Sequence, residues 1–253
     1  MPEPTRAAII LAAGFGSRLN AEEGHKLLAQ VGGHPMIDHH LAGLHMLGVD
    51  RVVVVTGYAH ERLEAELEAL ELPEGMRLQC AFNPNFEGQN GSSVLAGAAA
   101  LRDAAYAGPF WLTMSDHLFE PALFDDLQAF GSERDPQWQG ALMIDRKLET
   151  IFDMPDATKL ALNTHHFAIG KELERFDAVD AGLFWCDQGF VEALIAAREE
   201  RGDCSTSDAV RALHAADAFG FWDIGQRLWQ DVDTPGARAH AERLIATWRA
   251  LHH

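Results

Sequence analysis

Nothing in this 253-residue chain is apolar over the roughly 20 residues that a membrane-spanning helix needs. The opening Met1-Pro2-Glu3-Pro4-Thr5-Arg6 leads into an apolar run too short for a signal peptide and without a small-residue cleavage site, so a cytoplasmic protein, not itself membrane-embedded, is expected. Cysteine is scarce. Cys80, Cys186 and Cys204 are odd in number, widely spaced and without a CxxC, the pattern of reduced cytosolic thiols. Positive charge is scarce as well: 20 Lys and Arg face 38 Asp and Glu, a formal net charge of −18. Such a field repels polyanions and excludes nucleic acid as an expected partner. The 13 histidines contain no HExxH and no Cys/His cluster with zinc spacing, and His252 and His253 receive no role.

What is present begins with a glycine loop. Ala7–Leu11 is an apolar run of strand length, and it ends in Leu11-Ala12-Ala13-Gly14-Phe15-Gly16-Ser17-Arg18-Leu19, with Lys26 seven residues on. Glycine tolerates positive φ and lets backbone N–H groups approach phosphate oxygens, while Arg18 and Lys26 add cationic charge. Two better-known phosphate motifs are ruled out. No Gly-Lys-Ser/Thr closes the loop as in a Walker A motif, and Leu19 stands where the dinucleotide fingerprint needs its third glycine.

Strand-like and helix-like segments then alternate. Leu27–Val31 and a Gly32-Gly33-His34-Pro35 turn precede a helix from about Met36 to Leu47, with His39, His40 and His45 expected on its outer faces. Val52–Thr56 is a β-branched run typical of a strand buried on both sides. Helix-like 61–70, strand-like 78–82, a polar loop 83–91, an alanine-rich helix and the apolar strand Phe110–Met114 follow. Repeated β-α-β units predict an α/β fold: a doubly wound, mainly parallel, Rossmann-like sheet with ligands at the carboxyl ends of its strands. The whole chain, 1–253, reads as one domain, with a small inserted β/α region at about 143–185.

The rim rule gives meaning to the acidic residues. Phe110–Met114 delivers Asp116 to the same rim as the glycine loop. Near the C-terminus, Asp231-Val232-Asp233 precedes Thr234-Pro235, an N-cap and first-turn proline that open a terminal helix through Leu251. In an extended segment Asp231 and Asp233 share one face. One could cap and one could ligate. Carboxylates from distant parts of the chain, together with phosphate oxygens, suit magnesium. Arg146, Lys147, Lys159 and Lys171 are candidates for an acceptor phosphate, with Asp145 and Asp180 as hydrogen-bond acceptors. The apolar face of the terminal helix, Leu244, Ile245 and Trp248, serves a homodimer or the core equally well.

LAAGFGSRL, Lys26 in HKLLAQVGGHPMI, TMSDH and DVDTP, in that order, resemble the NTP-transferase superfamily, MobA-like and sugar-nucleotidyltransferases included. The middle, with Ile144-Asp145-Arg146, Asp156-Ala157-Thr158-Lys159 and Asp177-Ala178-Val179-Asp180-Ala181-Gly182, is most similar to inositol-1-phosphate cytidylyltransferases. The resemblance implies that Leu11, Ala12, Ala13 and Gly14 hold base and ribose, and that Gly16, Ser17 and Arg18 wrap the β- and γ-phosphates. Lys26 would reach the α-phosphate, Gly88, Asn90 and Ser93 would read cytosine, and Asp116 and Asp233 would hold Mg2+. Arg18, Lys26 and Asp116 are thus the implied catalytic set, and Asp145, Arg146, Lys159 and Asp180 the acceptor set. Two departures are plain: Ala181 replaces an expected threonine, and Ser115 stands before Asp116-His117 where others have glycine. The implied reaction transfers CMP from CTP to a small phosphorylated alcohol, inositol 1-phosphate foremost, giving a CDP-alcohol and pyrophosphate, either in a stand-alone version feeding a separate enzyme or in a relative with another alcohol phosphate. Phosphocholine, another phosphomonoester or a phosphonate, and a sugar 1-phosphate, are alternative acceptors; a metal-dependent glycosyltransferase and a non-catalytic nucleotide-binding regulator are readings of other classes.

Overall fold

The computed structural model describes residues 5–15, 25–162 and 167–251. The elements in chain order are β1 (Ala7–Leu11), β2 (Gln30–Val31), β3 (His34–Pro35), α1 (Met36–Met46), β4 (Arg51–Thr56), α2 (His60–Glu68), β5 (Arg77–Phe82), α3 (Gly91–Asp103), β6 (Phe110–Met114) and β7 (His117–Phe119). They continue with α4 (Pro121–Leu127), α5 (Phe130–Glu133), β8 (Gly140–Asp145), β9 (Lys159–Ala161), β10 (Ala168–Gly170), β11 (Ala178–Cys186), α6 (Gln188–Arg201), α7 (Thr206–Ala215), β12 (Phe219–Asp223), β13 (Trp229–Asp231) and α8 (Pro235–Leu251).

The apolar runs that alternate with helices form a parallel half-sheet, β6-β1-β4-β5, in which Leu11 sits level with Val55 on one side and Met114 on the other. Because successive strand side chains point to opposite faces, β1 feeds two cores. Ala7, Ile9 and Leu11 pack with α3, α6 and α7, while Ala8 and Ile10 pack with α1, α2 and α4. The sheet is therefore doubly wound. Beyond β6 its direction reverses: β11 runs antiparallel to β6, β8 and β9, β10 runs antiparallel to β9, and β12 returns parallel to β8. The reversal has a consequence for the site. A strand antiparallel to β6 begins where β6 ends, so the start of β11, with Asp180, arrives at the rim that carries Asp116.

The excursion between β8 and β11 leaves from and returns to strands of the main sheet, with β9 and β10 completing its edge. A short antiparallel pair, β7 with β13, sets Asp231 opposite His117. The chain-terminal helix starts as its Thr234-Pro235 signal predicts, Thr234 Oγ1 accepting from Ala237 N–H at 3.1 Å.

Two expectations are corrected. Lys26–Leu28 forms a 3-10 turn, and only Gln30–Val31 is strand. His40 does not face outward: it is 3% exposed, with Nε2 3.3 Å from the Ser115 carbonyl, because α1 packs across the end of β6. Of the two roles left open for the apolar face of α8, the core is the one observed, Ile245 and Trp248 packing with Val31, Met36, Leu118 and Val232. The three cysteines are free thiols, Cys186 and Cys204 buried and Cys80 half-buried. No helix among the described residues is long and apolar enough to cross a membrane.

Candidate active site

One cleft of about 620 Å³ opens at the carboxyl ends of β1 and β6, where the sheet changes direction. Leu11, Ala13 and Gly14 line it from the end of β1. Ala12 stands between them, buried, with its N–H given to the Val55 carbonyl. Gly16, Ser17 and Arg18 lie outside the described residues. Lys26 enters the same cleft from the turn that follows the loop.

Gly88, Asn90 and Ser93 form a second wall, as their sequence context predicts. This wall is built from both halves of the chain. Gly91 N–H donates to the Cys204 carbonyl at 2.9 Å, and a Cβ on Gly91 would sit 2.5 Å from that oxygen. The Asn90 amide is engaged at both ends: Oδ1 accepts from Thr206 N–H at 2.9 Å and Nδ2 donates to Thr206 Oγ1 at 3.2 Å. Asn83 Nδ2 donates to both Ser92 Oγ and Ser93 Oγ. Asn90 therefore ties α7 to the turn, and Ser205, Thr206 and Ser207 join the lining. Ser205 and Asp208 close a capping box at the start of α7, satisfying its first N–H groups.

The floor is acidic. Asp116, Asp153, Asp156, Asp180, Asp231 and Asp233 all line the cleft. Asp116 is braced by two cations: Lys26 Nζ donates to Oδ2 at 2.8 Å, and His117 Nδ1 lies 2.9 Å from Oδ1. Burial by itself would raise the Asp116 carboxyl, but the His117 bond and charge and the Lys26 ammonium outweigh it, and the group is held well below the usual range. His117 is the mirror case. Burial lowers the ring's affinity for a proton, while Asp116, Asp231 and Asp180 raise it further, so the imidazolium is favoured. Asp180 is raised to about 6, chiefly by burial, against the Gly182 N–H bond and the His117 charge.

One oxygen each from Asp156, Asp231 and Asp233 lies within 4.8 Å of the others. Burial raises the Asp231 carboxyl, and the neighbouring charges of Asp233, Asp116 and Asp153 add to that. The set contains Asp233 of the expected pair and Asp231, its alternative, while Asp116 lies outside it. The excursion between β8 and β11 brings Asp156 to the Asp231-Val232-Asp233 segment; Asp116 carries Lys26 and His117, as Asp156 carries Lys171.

The acceptor candidates separate. Asp180 lines the cleft, and so does Lys171, paired with Asp156 at 2.7 Å. Four others lie elsewhere, Lys147 among them with Nζ on Asp145 Oδ1 and the Gly225 carbonyl. Asp145 is 1% exposed and accepts from Lys147 and Trp229. Arg146 points to Asp177 and Asp223, and Lys159 is buried in β9 with Nζ on the Lys171 carbonyl. A polar residue on a strand faces the cleft or the core according to its register, which a short segment does not reveal. Asp156 and His117 were missing from the expected set, in which Asp231 stood as the alternative to Asp233. His117 had a signal, its place directly after the rim aspartate, and the Ser205-x-x-Asp208 capping box had one too.

Gly182 makes room for the His117 ring. A bulge in β11 between Asp180 and Phe184 places Gly182 at φ +76°, with its N–H on Asp180 Oδ1 at 2.7 Å. A Cβ here would lie 2.2 Å from the His117 ring. Glycine at 182 and histidine at 117 are thus two sides of one fit.

The MobA-like NTP transferase domain model matches residues 8–137, just over half of the chain. The chain belongs to this family. The MobA-like match begins in β1 and stops before β8, so it contains Lys26, the Asn90 turn and Asp116, while Asp156, Asp180, Asp231 and Asp233 lie beyond it. A protein named bifunctional IPC transferase and DIPP synthase from Rubrobacter xylanophilus is 30% identical over 249 residues, covering 96% of this chain and 52% of that protein. Its namesake from Thermococcus kodakarensis is 28% identical over 243 residues, covering 94% and 50%. The chain spans about half the length of these relatives. The solved structure of the inositol-1-phosphate CTP transferase from T. maritima superimposes with a TM-score of 0.79 at 23% identity, over 98% of each chain, a likeness of fold.

Proposed function

We propose that the chain is a cytidylyltransferase that transfers CMP from CTP to an alcohol phosphate, inositol 1-phosphate foremost, releasing pyrophosphate. One observation carries the reading: a single cleft joins the β1 turn, Lys26 and the Asn90–Ser93 wall to the Asp180 and Lys171 side contributed by the excursion after β8. Donor and acceptor would meet between those walls. The names of the relatives supply the nucleotide and the alcohol.

The chemistry follows from the groups present. A phosphate monoester has a second pKa near 6, so at neutral pH it carries a nucleophilic oxygen and needs no general base. What it needs is help to approach a triphosphate. Like charges about 4 Å apart repel by ~4 kcal/mol per pair at an effective dielectric of about 20. Lys26 offsets part of that on the donor side and Lys171 on the acceptor side. Alignment of the two reactants can lower the barrier by a further ~7–11 kcal/mol. Asp180 would accept from an acceptor hydroxyl.

The acidic floor fits a divalent cation. Hard oxygen donors from three carboxylates within 4.8 Å of one another suit magnesium, and without a cation such a set repels itself. Asp156, Asp231 and Asp233 would hold it. When bound, the ion would neutralise phosphate charge as the pyrophosphate departs.

Pyrophosphate release with magnesium tests the proposal. Release from CTP that depends on added inositol 1-phosphate, and is weaker with phosphocholine, a phosphonate or a sugar 1-phosphate, is the expected result. Preference for another acceptor moves the substrate and keeps the reaction. CTP binding without turnover on any acceptor would select the regulator.

A further inference from the structure

The Lys26 ammonium is held from behind by a line of contacts that leads out of the cleft into the protein. Lys26 Nζ donates to Asp116 Oδ2 at 2.8 Å, and His117 Nδ1 donates to Asp116 Oδ1 at 2.9 Å. The His117 ring lies parallel to the Trp229 indole, with centroids 5.3 Å apart and planes 3° apart. Trp229 Nε1 donates to Asp145 Oδ2 at 3.1 Å. Asp145 Oδ1 accepts from both the backbone N–H and the Nζ of Lys147, each at 2.7 Å, and that Nζ also donates to the Gly225 carbonyl at 2.7 Å. Asp145 is 1% exposed and does not line the cleft.

This arrangement suits orientation better than contact with substrate. A lysine side chain is long and flexible, and a ligand that must first order it binds more weakly. Its ammonium has three donors. With one given to Asp116, two remain for phosphate oxygens. The planar stack and the buried carboxylate behind it fix the direction in which the ammonium points. A buried aspartate is costly unless its oxygens are met, and here each oxygen is met by a group that serves the line.

We infer that Asp145 and Trp229 are positioning residues for CTP, acting through His117 and Asp116 to aim Lys26. The inference rests on the proposed cytidylyltransferase reading. Trp229 also borders the cleft, so Asp145 gives the cleaner test. Asp145→Asn keeps size and shape, but its one carbonyl oxygen is claimed by the Lys147 N–H, which turns an amide N–H toward the indole N–H.

The experiment is a double-mutant cycle on CTP affinity, measured by calorimetry so that no turnover is required: the unsubstituted protein, Asp145→Asn, Lys26→Met and the double variant. Coupled neighbours give interaction energies that correspond here to a loss on the order of tenfold for Asp145→Asn. In the Lys26→Met background the same substitution should cause no further loss. An equal loss in both backgrounds is what a merely structural role would give, and it overturns the inference, as does an unchanged affinity in the single variant. Should Asp145→Asn fail to fold, Trp229→Phe carries the same cycle, since it keeps the stack and removes the indole N–H. Absence of CTP binding by the unsubstituted protein defeats the functional reading itself, and the inference with it; binding with additive losses defeats the inference alone.

Discussion

Gly182→Ala tests whether the bulge in β11 is shaped around His117. The substitution forces a Cβ onto a residue at φ +76°, and that Cβ would lie 2.2 Å from His117 Cδ2 and 2.4 Å from Nε2. The ring has no easy retreat, being stacked on Trp229 and bonded to Asp116. A left-handed conformation costs a non-glycine residue ~1–2 kcal/mol. Overpacking a filled site adds ~1–3 kcal/mol. Gly182→Ala is therefore expected to destabilise the fold by roughly 2–5 kcal/mol, which for a chain of this size lowers the melting temperature by about 4–10 °C. Gly202→Ala is the control. Gly202 caps α6 at φ +81° with nothing within 4 Å of a Cβ, so only the backbone cost of ~1–2 kcal/mol applies. Thermal or urea denaturation of both variants isolates the clash as their difference. If Gly182→Ala is no more destabilising than Gly202→Ala, the fit between glycine and ring is not real.

Asp231→Asn and Asp233→Asn should each raise the magnesium concentration needed for half-maximal pyrophosphate release, by ~10–100-fold as for other losses at a metal site; an unchanged magnesium titration rules the carboxylate set out. Lys171→Met should raise KM for the acceptor about tenfold, the scale of one charged hydrogen bond, while KM for CTP stays the same; a shift in the CTP value instead would move Lys171 to the donor side. Burial lowers the His40 pKa from 6.5 to about 4, so the unfolded chain takes up this proton first as the medium acidifies. Stability from keeping His40 neutral is complete above pH 6.5 and is lost on the way down to 4, amounting to ~3 kcal/mol in all. His40→Gln, which can still donate to the Ser115 carbonyl, should flatten the stability–pH curve over that interval in urea titrations; an unaltered slope refutes the account.

The parallel half of the sheet was legible from local pattern. Val52–Thr56 and Phe110–Met114 are apolar because both faces are covered, and the Gly14 turn follows β1 because a buried strand ends there. Asn90 and Ser93 line the cleft, yet the partner of the Asn90 amide, Thr206, is 116 residues away. Asp145, Arg146 and Lys159 show the opposite limit. Each has the right chemistry for an anion or a hydroxyl, and each is turned to an intramolecular partner instead.

The sequence by itself determined the class of fold, the rim at which the cleft opens and the chemical character of that rim, because strand burial, helix caps and glycine turns are recorded within a few neighbouring residues. Tertiary structure alone decided which carboxylates share a site and which cations are aimed. Antiparallel β11 brings Asp180 to the end of β6, and the β7–β13 pair sets Asp231 against His117. These are matters of register between distant strands, and a one-residue shift would turn every one of those side chains to the other face.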